Sequence, residues 1–253
     1  MKYEIIKFKD KQIASKILEN GDLTVKIRGN SYEDLFAAAS IKEAWDNNDS
    51  SNKSKVSKLE ILCLIGQRSD RRFNSGESFD LKIIANFINE MRYDEVHIFH
   101  PHSSIALALI HRAKVIDHFK FVQKTYEHLN GPTLISPDAG AYKTTHEIAE
   151  KLNANLIPSN KVRVDGNPLI RIQGDVKNKT CLIVDDLADG GRTFKYLADE
   201  LKRQGAHKVY LYVSHGQFNH GFSELKESLA GIFCTNSFRD IDDEFVTQFK
   251  VID

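Results

Sequence analysis

Residues 180–194, which read TCLIVDDLADGGRTF, constrain this chain more than any other stretch. Residues 181–184 are four consecutive apolar residues, a pattern typical of a strand buried on both faces of a parallel sheet. Asp185 and Asp186 follow directly, and adjacent carboxylates at a buried strand end are costly unless they meet a metal, a ligand hydroxyl or a hydrogen-bond partner. Because ligands in open α/β sheets bind at the carboxyl ends of strands, this stretch predicts a ligand site.

The turn after the two acids has the composition of an anion site. It contains Asp189, Gly190, Gly191, Arg192 and Thr193, and it leads into the helical pattern KYLADELKRQG. Glycines let backbone N–H groups close around an anion, and a helix N-terminus adds a favourable dipole. Carboxylates for sugar hydroxyls beside a phosphate nest predict a sugar-phosphate site. An ordinary turn capped by Asp189 is the alternative, but the apolar strand, double acid and glycine pair together favour the ligand site.

Composition and charge narrow the class of protein. The chain has 253 residues, enough for one large domain or two ordinary ones, and its 41% hydrophobic and 28% charged residues are typical of soluble globular proteins. Lysine plus arginine (35) equals aspartate plus glutamate (35), which argues against a dedicated nucleic-acid binder. The sequence has no apolar stretch of membrane-spanning length and no signal-peptide core. With three cysteines in apolar runs, these features predict a cytoplasmic protein with buried, reduced thiols.

Strand and helix patterns alternate along the chain and predict an α/β fold. Two successive sets of strand–helix units predict two domains, residues 1–130 and 131–253, each a mostly parallel sheet flanked by helices. Ser31 is the expected N-cap of the first helix. The polar segment 158–170 is too irregular for the core and is interpreted as an active-site flap. Besides 181–184, strands are expected at 3–8, 23–27, 59–65, 95–99, within 115–122, and at 154–157, 208–213 and 232–234, with an edge or tail at 238–253.

Three arginines follow the strand predicted at residues 59–65: Arg68, Arg71 and Arg72. They are candidates for a polyphosphate clamp, because the planar guanidinium group matches phosphate geometry. A solvated charge run is the alternative, and it is the commoner explanation for an isolated pair of arginines.

Two later strand ends carry candidate metal ligands. His100 and His102 follow the strand at residues 95–99, but the proline between them makes metal binding dependent on neighbouring ligands. Residues 136–140, SPDAG, place an acid, Asp138, and a glycine before another helix. The order of strand, polar turn and helix is therefore repeated.

The central stretch resembles the phosphoribosyl pyrophosphate loop of phosphoribosyltransferases and ribose-phosphate pyrophosphokinases, and the chain resembles the second family over most of its length. A simple phosphoribosyltransferase would explain the central loop but not the Arg68 segment or the first domain. The resemblance implies two phosphoribosyltransferase-like domains, residues 1–130 for ATP and residues 131–253 for ribose phosphate. The matching positions are Arg68, Asp70 and Arg71, His102, residues 136–140, Lys161 and Arg163, residues 174–176, Asp185, Asp186, Asp189 and Thr193, residues 214–216, and Thr235.

The resemblance also implies a reaction and a role for each matched residue. The family transfers the β,γ-diphosphate of ATP to the anomeric hydroxyl of ribose 5-phosphate, releases AMP and uses Mg²⁺. Lys161 and Arg163 are implied as catalytic residues, and His102 and Asp138 as metal ligands. The implied ATP-binding residues are Phe8, Asp10, Gln12, Arg68, Asp70 and His102, and the implied ribose-phosphate-binding residues are Asp185, Asp186, Asp189, Gly190, Gly191, Arg192 and Thr193.

The chain departs from the family pattern at several positions. Gln12, Ser69 and His100 replace an expected Glu, Gln and Asp, and Arg192 stands where a small residue is usual. Arg192 adds a cation that a ribose 5-phosphate site does not need, so an acceptor extended at its 5′ end, such as ADP-ribose in NAD-related metabolism, stays open. The chain begins almost at Phe8, which predicts an N-terminally shortened variant and argues against the family's usual hexameric, allosteric assembly.

The implied partners are ATP and a ribose-phosphate substrate, with no nucleic acid and no membrane. In the family the loop matched by Phe8 reaches ATP on a neighbouring subunit, which implies a homodimer or higher homo-oligomer with a shared ATP site. Two other functions stay open. A phosphoribosyltransferase would consume phosphoribosyl pyrophosphate and a base without ATP. A catalytically silent regulatory homologue is the other, and the intact Lys161, Arg163 and double acid argue against it.

Overall fold

The computed structural model describes residues 1–48, 54–164 and 167–252, with the main chain but not the side chains of residues 161–164 and 167–169. The chain divides into two units, residues 1–117 and 118–251. The boundary therefore lies before the one predicted near residue 130. Helix α4 (Phe119–His128) belongs to the second unit, because its His128 ring lies 5.5 Å from that of Phe233 and its Phe121 ring 5.6 Å from that of Phe249.

The first unit contains a parallel four-stranded sheet and an antiparallel hairpin. Its strands are β1 (Tyr3–Lys7), β2 (Ile13–Ile17), β3 (Leu23–Ile27), β4 (Ser57–Ile61), β5 (Glu95–Phe99) and β6 (Ala113–Ile116), and its helices are α1 (Tyr32–Asp46), α2 (Asp80–Glu90) and α3 (Ser104–Leu109). The sheet order is β3-β4-β5-β6, and β1 pairs with β2. Buried residues alternate with exposed ones along β3, as expected for a strand with one face on the core. Ser31 caps α1, as predicted, by accepting a hydrogen bond from the Asp34 N–H.

The second unit is built on a seven-stranded sheet. Its strands are β7 (Thr133–Ser136), β8 (Leu156–Val164), β9 (Asn167–Ile172), β10 (Thr180–Ala188), β11 (Lys208–Gly216), β12 (Gly231–Thr235) and β13 (Val246–Phe249), and its remaining helices are α5 (Ala139–Leu152), α6 (Arg192–Arg203) and α7 (Ser223–Ser228). The order is β13-β12-β11-β10-β7-β8-β9, with every pair parallel except β8 and β9. The central position of β10 explains its run of four fully buried residues.

The predicted architecture of two mostly parallel α/β sheets is confirmed, but several boundaries differ. β4 ends at Ile61 and not at residue 65; beyond it the Leu62 N–H bonds to the carbonyl of Ile27, the last residue of β3, and the Cys63 N–H bonds to the carbonyl of Arg28, which lies outside β3. The strand expected within residues 115–122 begins earlier, at Ala113, and ends at Ile116, while α4 occupies the second half of that segment. The described residues of segment 158–170, predicted to be irregular, lie mainly in strands β8 and β9, where antiparallel main-chain pairing makes up for the polar sequence.

Two expectations about burial and membranes can be compared with the structure. Cys63, Cys181 and Cys234 are buried and free of disulfides, as predicted. Burial raises the pKa of the Cys181 thiol to about 11 and that of Cys234 to about 12, so both are unreactive at neutral pH. In the part of the chain that the structure describes, no helix combines the length and apolarity needed to cross a membrane.

Candidate functional site

The two adjacent acids lie within β10 rather than after it. On one side β10 pairs with β7 only from Cys181 to Ile183, whereas on the other it pairs with β11 as far as Ala188. The carboxyl end of β10 therefore projects past β7 while it remains bonded to β11. Asp185 and Asp186 occupy this projecting part, and both are half-buried. The sequence predicted the acids at a strand end but not the continued pairing with β11.

The acidic end of β10 is electrostatically unfavourable in the free protein. Burial raises the pKa of Asp185 above its usual range, to about 8, and the charges of Asp186 and Asp138 raise it further. A hydrogen bond from the Asp186 N–H to Asp185 Oδ1, 2.9 Å long, opposes this shift in part. A ligand that brings hydroxyl donors or a cation would relieve the repulsion, so this strand end suits a polyol or a metal-bound substrate.

The turn between β10 and α6 leaves the start of the helix open to an anion. Gly191 is the N-cap residue, and no side chain caps the helix. The ordinary turn capped by Asp189 is therefore wrong. Gly191 has φ +79°, in the left-handed region that favours glycine, and a Cβ atom there would lie 2.9 Å from Leu225. A Cβ atom at Gly190 would lie 2.5 Å from the His220 ring. Gly191 is therefore needed for this backbone, as an anion nest requires, whereas a side chain at Gly190 would have to displace the exposed His220 ring.

Residues 217–219, which we call the clamp, hold this turn and were missed by sequence reasoning. The N–H groups of Gln217 and Phe218 donate to the Ala188 carbonyl at 2.8 and 3.2 Å, and the Asn219 N–H donates to the Asp189 carbonyl at 3.1 Å. Asn219 Nδ2 also donates to Asp189 Oδ1 at 2.7 Å. The position of the clamp in the sequence could have indicated its role, because it directly follows β11 and neighbouring parallel strands end at the same edge of a sheet.

A small cleft adjoins the turn on the side of α7. Its volume is about 130 Å³. Arg192, Lys195 and His220 line it together with Glu224, Leu225 and glycines 190, 191 and 221. Lys195 forms an ion pair of 2.9 Å with Asp199. The cleft therefore places basic side chains next to the open start of α6.

The other matched residues of this unit form its support. His215 is fully buried at the end of β11, with Nδ1 2.9 Å from the Ser237 hydroxyl, and Thr235 donates to the Ser214 carbonyl at 2.7 Å. Lys161 and Arg163 lie on β8, paired with Ile170 and Pro168 of β9. Their side chains lie outside the described residues.

Asp138, a predicted metal ligand, caps helix α5. Its Oδ1 accepts hydrogen bonds from the N–H groups of Gly140 and Ala141 at 2.8 and 3.0 Å, and the side chain is exposed. Over residues 1–48, 54–164 and 167–252, the structure contains no group of three or more His, Cys, Asp or Glu residues arranged to hold a metal. Mg²⁺ often binds through one or two carboxylates with substrate phosphates and water, so the acidic groups near Asp185 fit such an ion.

The first unit brings together several predicted ATP-binding residues. Asp70 is buried, with 4% exposed, and Arg71 donates to both of its oxygens at 2.7 and 3.0 Å. This bond holds the pKa of Asp70 below its usual range. The His102 N–H donates to the oxygen of Gln67, a buried residue that sequence reasoning missed. Arg68 is exposed. Asp70 and Gln67 are therefore internal supports for a surface that includes Arg68 and His102.

Phe8, Asp10 and Gln12 meet at the tip of the β1–β2 hairpin. The Phe8 N–H donates to the Gln12 carbonyl at 2.9 Å, and the Gln12 N–H donates to Asp10 Oδ1 at 3.1 Å. The Phe8 side chain is 52% exposed. The predicted adenine-binding residues thus form one compact, accessible group.

Comparison with known proteins identifies relatives of the whole chain. A model of the phosphoribosyl transferase domain matches residues 109–251, more than half of the chain. Ribose-phosphate pyrophosphokinase 2 of Saccharomyces cerevisiae is 30% identical over 197 residues, which cover 73% of this chain and 61% of that protein. Ribose-phosphate pyrophosphokinase of Pyrococcus furiosus is 28% identical over 242 residues, which cover 92% of this chain and 85% of that protein.

The overall fold also has a solved counterpart. The crystal structure of phosphoribosylpyrophosphate synthetase from Mycobacterium smegmatis matches 99% of this chain and 86% of its own, with a TM-score of 0.83 at 18% identity. The chain spans 61% and 55% of the lengths of two yeast relatives, ribose-phosphate pyrophosphokinases 2 and 4. These findings confirm the resemblance predicted from the sequence. The chain belongs to the phosphoribosyl transferase domain family, and ribose-phosphate pyrophosphokinases are among its relatives.

Proposed function

We propose that this chain is an ATP-dependent pyrophosphokinase that transfers the β,γ-diphosphate of ATP to the C1 hydroxyl of a ribose 5-phosphate acceptor and releases AMP. The observation that carries the proposal is the projecting, acidic end of β10 directly before the uncapped start of α6. Acids for sugar hydroxyls and open N–H groups for a phosphate are the two features that such an acceptor needs. The names of the relatives support the same reaction.

The acceptor is held by the second unit. Asp185, Asp186 and Asp189 bind the ribose hydroxyls, and the backbone of residues 190–193 binds the 5′-phosphate. Hydroxyl donors to an ionised carboxylate are among the stronger hydrogen bonds in proteins. Binding of the sugar favours the ionised form of Asp185 and therefore lowers the pKa that burial raises in the free protein.

The donor is held by residues of the first unit. Arg68 and His102 contact the ATP phosphates, and Phe8, Asp10 and Gln12 contact adenine. Mg²⁺ would neutralise charge on the polyphosphate, and its proposed ligands are His102 in this unit and Asp138 in the second. Asp70 supports these ATP-binding residues indirectly, because its carboxylate holds the Arg71 side chain through two hydrogen bonds.

The transfer needs alignment and charge neutralisation but no nucleophilic side chain. The C1 oxygen attacks the β-phosphorus in line, the bond from that phosphorus to the α–β bridging oxygen breaks, and the hydroxyl proton leaves to solvent. AMP departs with the bridging oxygen. Lys161 and Arg163 neutralise charge on the diphosphate, and the β8–β9 hairpin that carries them serves as the flap that excludes water.

An acceptor extended at its 5′ end, such as ADP-ribose, is the second candidate. Its support is the cleft beside the turn, where Arg192, Lys195 and His220 surround about 130 Å³. A phosphate beyond the 5′-phosphate would give the Arg192 guanidinium group a partner in this cleft. The chemistry would be unchanged, and the product would be a diphosphorylated ADP-ribose within NAD-related metabolism.

The family resemblance also supports a proposal about assembly and location. We propose a homodimer or higher homo-oligomer in the cytoplasm, with the hairpin tip at Phe8 reaching ATP on a neighbouring subunit. Its exposed aromatic ring is consistent with such a contact. Sedimentation analysis with and without ATP would test the assembly, and a monomer under both conditions would contradict it.

Replacement of Lys161 tests the proposed reaction. In Lys161→Ala we expect AMP release with Mg²⁺ and ribose 5-phosphate or ADP-ribose to fall by about 100-fold or more, while ATP affinity changes little, because the cation acts mainly on the transition state. Lys208→Ala is the matched control, since Lys208 is exposed at the start of β11. Unchanged turnover would remove Lys161 from the site. Consumption of phosphoribosyl pyrophosphate with a base would instead indicate a phosphoribosyltransferase, and a lack of every activity would indicate a regulatory homologue.

A further inference from the structure

We propose that Asn219 is a positioning residue that sets the orientation of the Asp189 carboxylate in the acceptor site. The inference rests on the proposed function, because it assigns Asp189 to the ribose. Its basis is a second residue of the same unit, distant in sequence, whose main chain and side chain both bond to Asp189.

The contact between the two residues is doubled. The Asn219 N–H donates to the Asp189 carbonyl at 3.1 Å, and Asn219 Nδ2 donates to Asp189 Oδ1 at 2.7 Å. The first bond fixes the main chain where β10 ends, and the second fixes the side-chain rotamer. A donor to a charged carboxylate is worth more than a neutral pair, so the second bond restricts Asp189 substantially.

Asn219 is itself held rigidly. Its neighbour Phe218 is 1% exposed, and the Phe218 ring lies 5.0 Å from that of Phe222. The Phe218 carbonyl accepts a hydrogen bond of 3.1 Å from Arg239 and one of 2.9 Å from the Gly221 N–H. Phe218 has φ +46°, an uncommon conformation for a non-glycine residue that the surrounding contacts maintain. The clamp is therefore an anchored support.

This arrangement has a consequence for binding. A carboxylate with a fixed rotamer meets a sugar hydroxyl without first losing side-chain freedom, which improves affinity by pre-organisation. Asp189 would contact the sugar both before and during the transfer. Loss of Asn219 should therefore raise KM for the acceptor far more than it lowers kcat.

The test compares Asn219→Ala with Lys208→Ala, a control at an exposed residue outside the clamp that leaves both bonds to Asp189 intact. With the acceptor that wild type uses, Asn219→Ala should raise acceptor KM about 10-fold, with kcat within about 2-fold and ATP KM unchanged. Asn219→Asp, which sets a second carboxylate against Asp189, should raise acceptor KM further. Lys208→Ala should behave as wild type. Equal acceptor KM in wild type and Asn219→Ala would overturn the proposal.

Amide hydrogen exchange separates this inference from the proposed function. In Asn219→Ala, exchange at the amides of residues 217–219, which donate to the Ala188 and Asp189 carbonyls, should accelerate, while exchange in the interior of α6 should stay at the wild-type rate. If wild type releases no AMP with either acceptor, the proposed function fails, and exchange at these clamp amides alone decides whether Asn219 orders the turn. Unchanged exchange at these amides would overturn the positioning role; faster exchange throughout α6 would also overturn it, because it would indicate general destabilisation.

Discussion

Asp70 of the first unit and Asp185 of the second lie in similar places but in opposite electrostatic settings. Asp70 is almost fully buried after the first unit's β4, and Arg71 donates to both of its oxygens. Asp185 lies in the projecting end of β10, and burial and the charges of Asp186 and Asp138 raise its pKa. The Arg71 bond lowers the pKa of Asp70. One carboxylate has a cation from its own chain, and the other has like charges around it.

This difference distinguishes a carboxylate that stabilises the fold from a carboxylate that binds a ligand. A carboxylate with an internal cation stabilises the fold and needs no ligand. A carboxylate among like charges costs stability until something binds it, which is a common property of functional sites. The contrast predicts that changes at Asp70 act mainly through stability and that changes at Asp185 act mainly through the acceptor.

The largest expected effect is on acceptor use in Asp185→Asn. The loss of a charged hydrogen-bond partner for a sugar hydroxyl should lower kcat/KM for the acceptor by about 100-fold. Steady-state AMP release measures this, with Asp242→Asn as a control at an exposed acid. If Asp185→Asn kept wild-type kcat/KM, the contrast between the two acids would fail.

The next effect is on stability in Asp70→Asn. Loss of the charge should weaken two part-buried hydrogen bonds from Arg71, whose side chain is 57% exposed, and lower the free energy of unfolding by at most about 1 kcal/mol. Denaturant unfolding followed by circular dichroism measures it, again against Asp242→Asn. Acceptor KM should change little. A stable variant with a large loss of acceptor affinity would show that Asp70 belongs with the binding residues.

The smallest effect is on the pH dependence of stability, and its sign differs between the two acids. The native pKa of Asp185 is raised to about 8, so from about pH 4 to 8 the native state holds more protons than the unfolded state. Stability from this group is therefore lost as pH rises, by at most about 1.4 kcal/mol per pH unit. The lowered pKa of Asp70 means that its contribution is lost as pH falls.

Unfolding measured at several pH values checks this opposition in the ligand-free protein. Asp185→Asn should remove the loss of stability that occurs as pH rises from about 4 to 8, whereas Asp70→Asn should remove a loss that occurs as pH falls. Curves of the same shape for both variants would contradict the assigned pKa directions.

Sequence patterns predicted the parts of this molecule that depend on local chemistry. The apolar run before Asp185, the Ser31 cap and the glycine pair each report a local requirement, and the structure contains all three features. The continued pairing of β10 with β11 and the bond from Asn219 to Asp189 depend on which strands are neighbours. No local pattern encodes that adjacency, so these features were missed.

The β8–β9 strand pair is a second feature that the sequence pattern did not predict. Its polar sequence predicted an irregular flap, whereas the main chain forms a regular antiparallel ladder from Ser159 to Val164. Strand pairing satisfies the backbone whatever the side chains are, so a polar hairpin can form where hydrophobic periodicity is weak. The prediction of Lys161 and Arg163 as catalytic residues came from the family resemblance and stays a prediction.

The most direct measurement is AMP release from ATP and Mg²⁺ with ribose 5-phosphate and, separately, with ADP-ribose, in wild type and Asp185→Asn. We expect release that requires one of these acceptors and that falls by about 100-fold in the variant. Preference for ribose 5-phosphate would identify it as the acceptor. Preference for ADP-ribose would indicate that the cleft at Arg192 binds a second phosphate. Release that is independent of any acceptor, or absent with both, would contradict the proposal that β10 and the following turn bind a ribose phosphate.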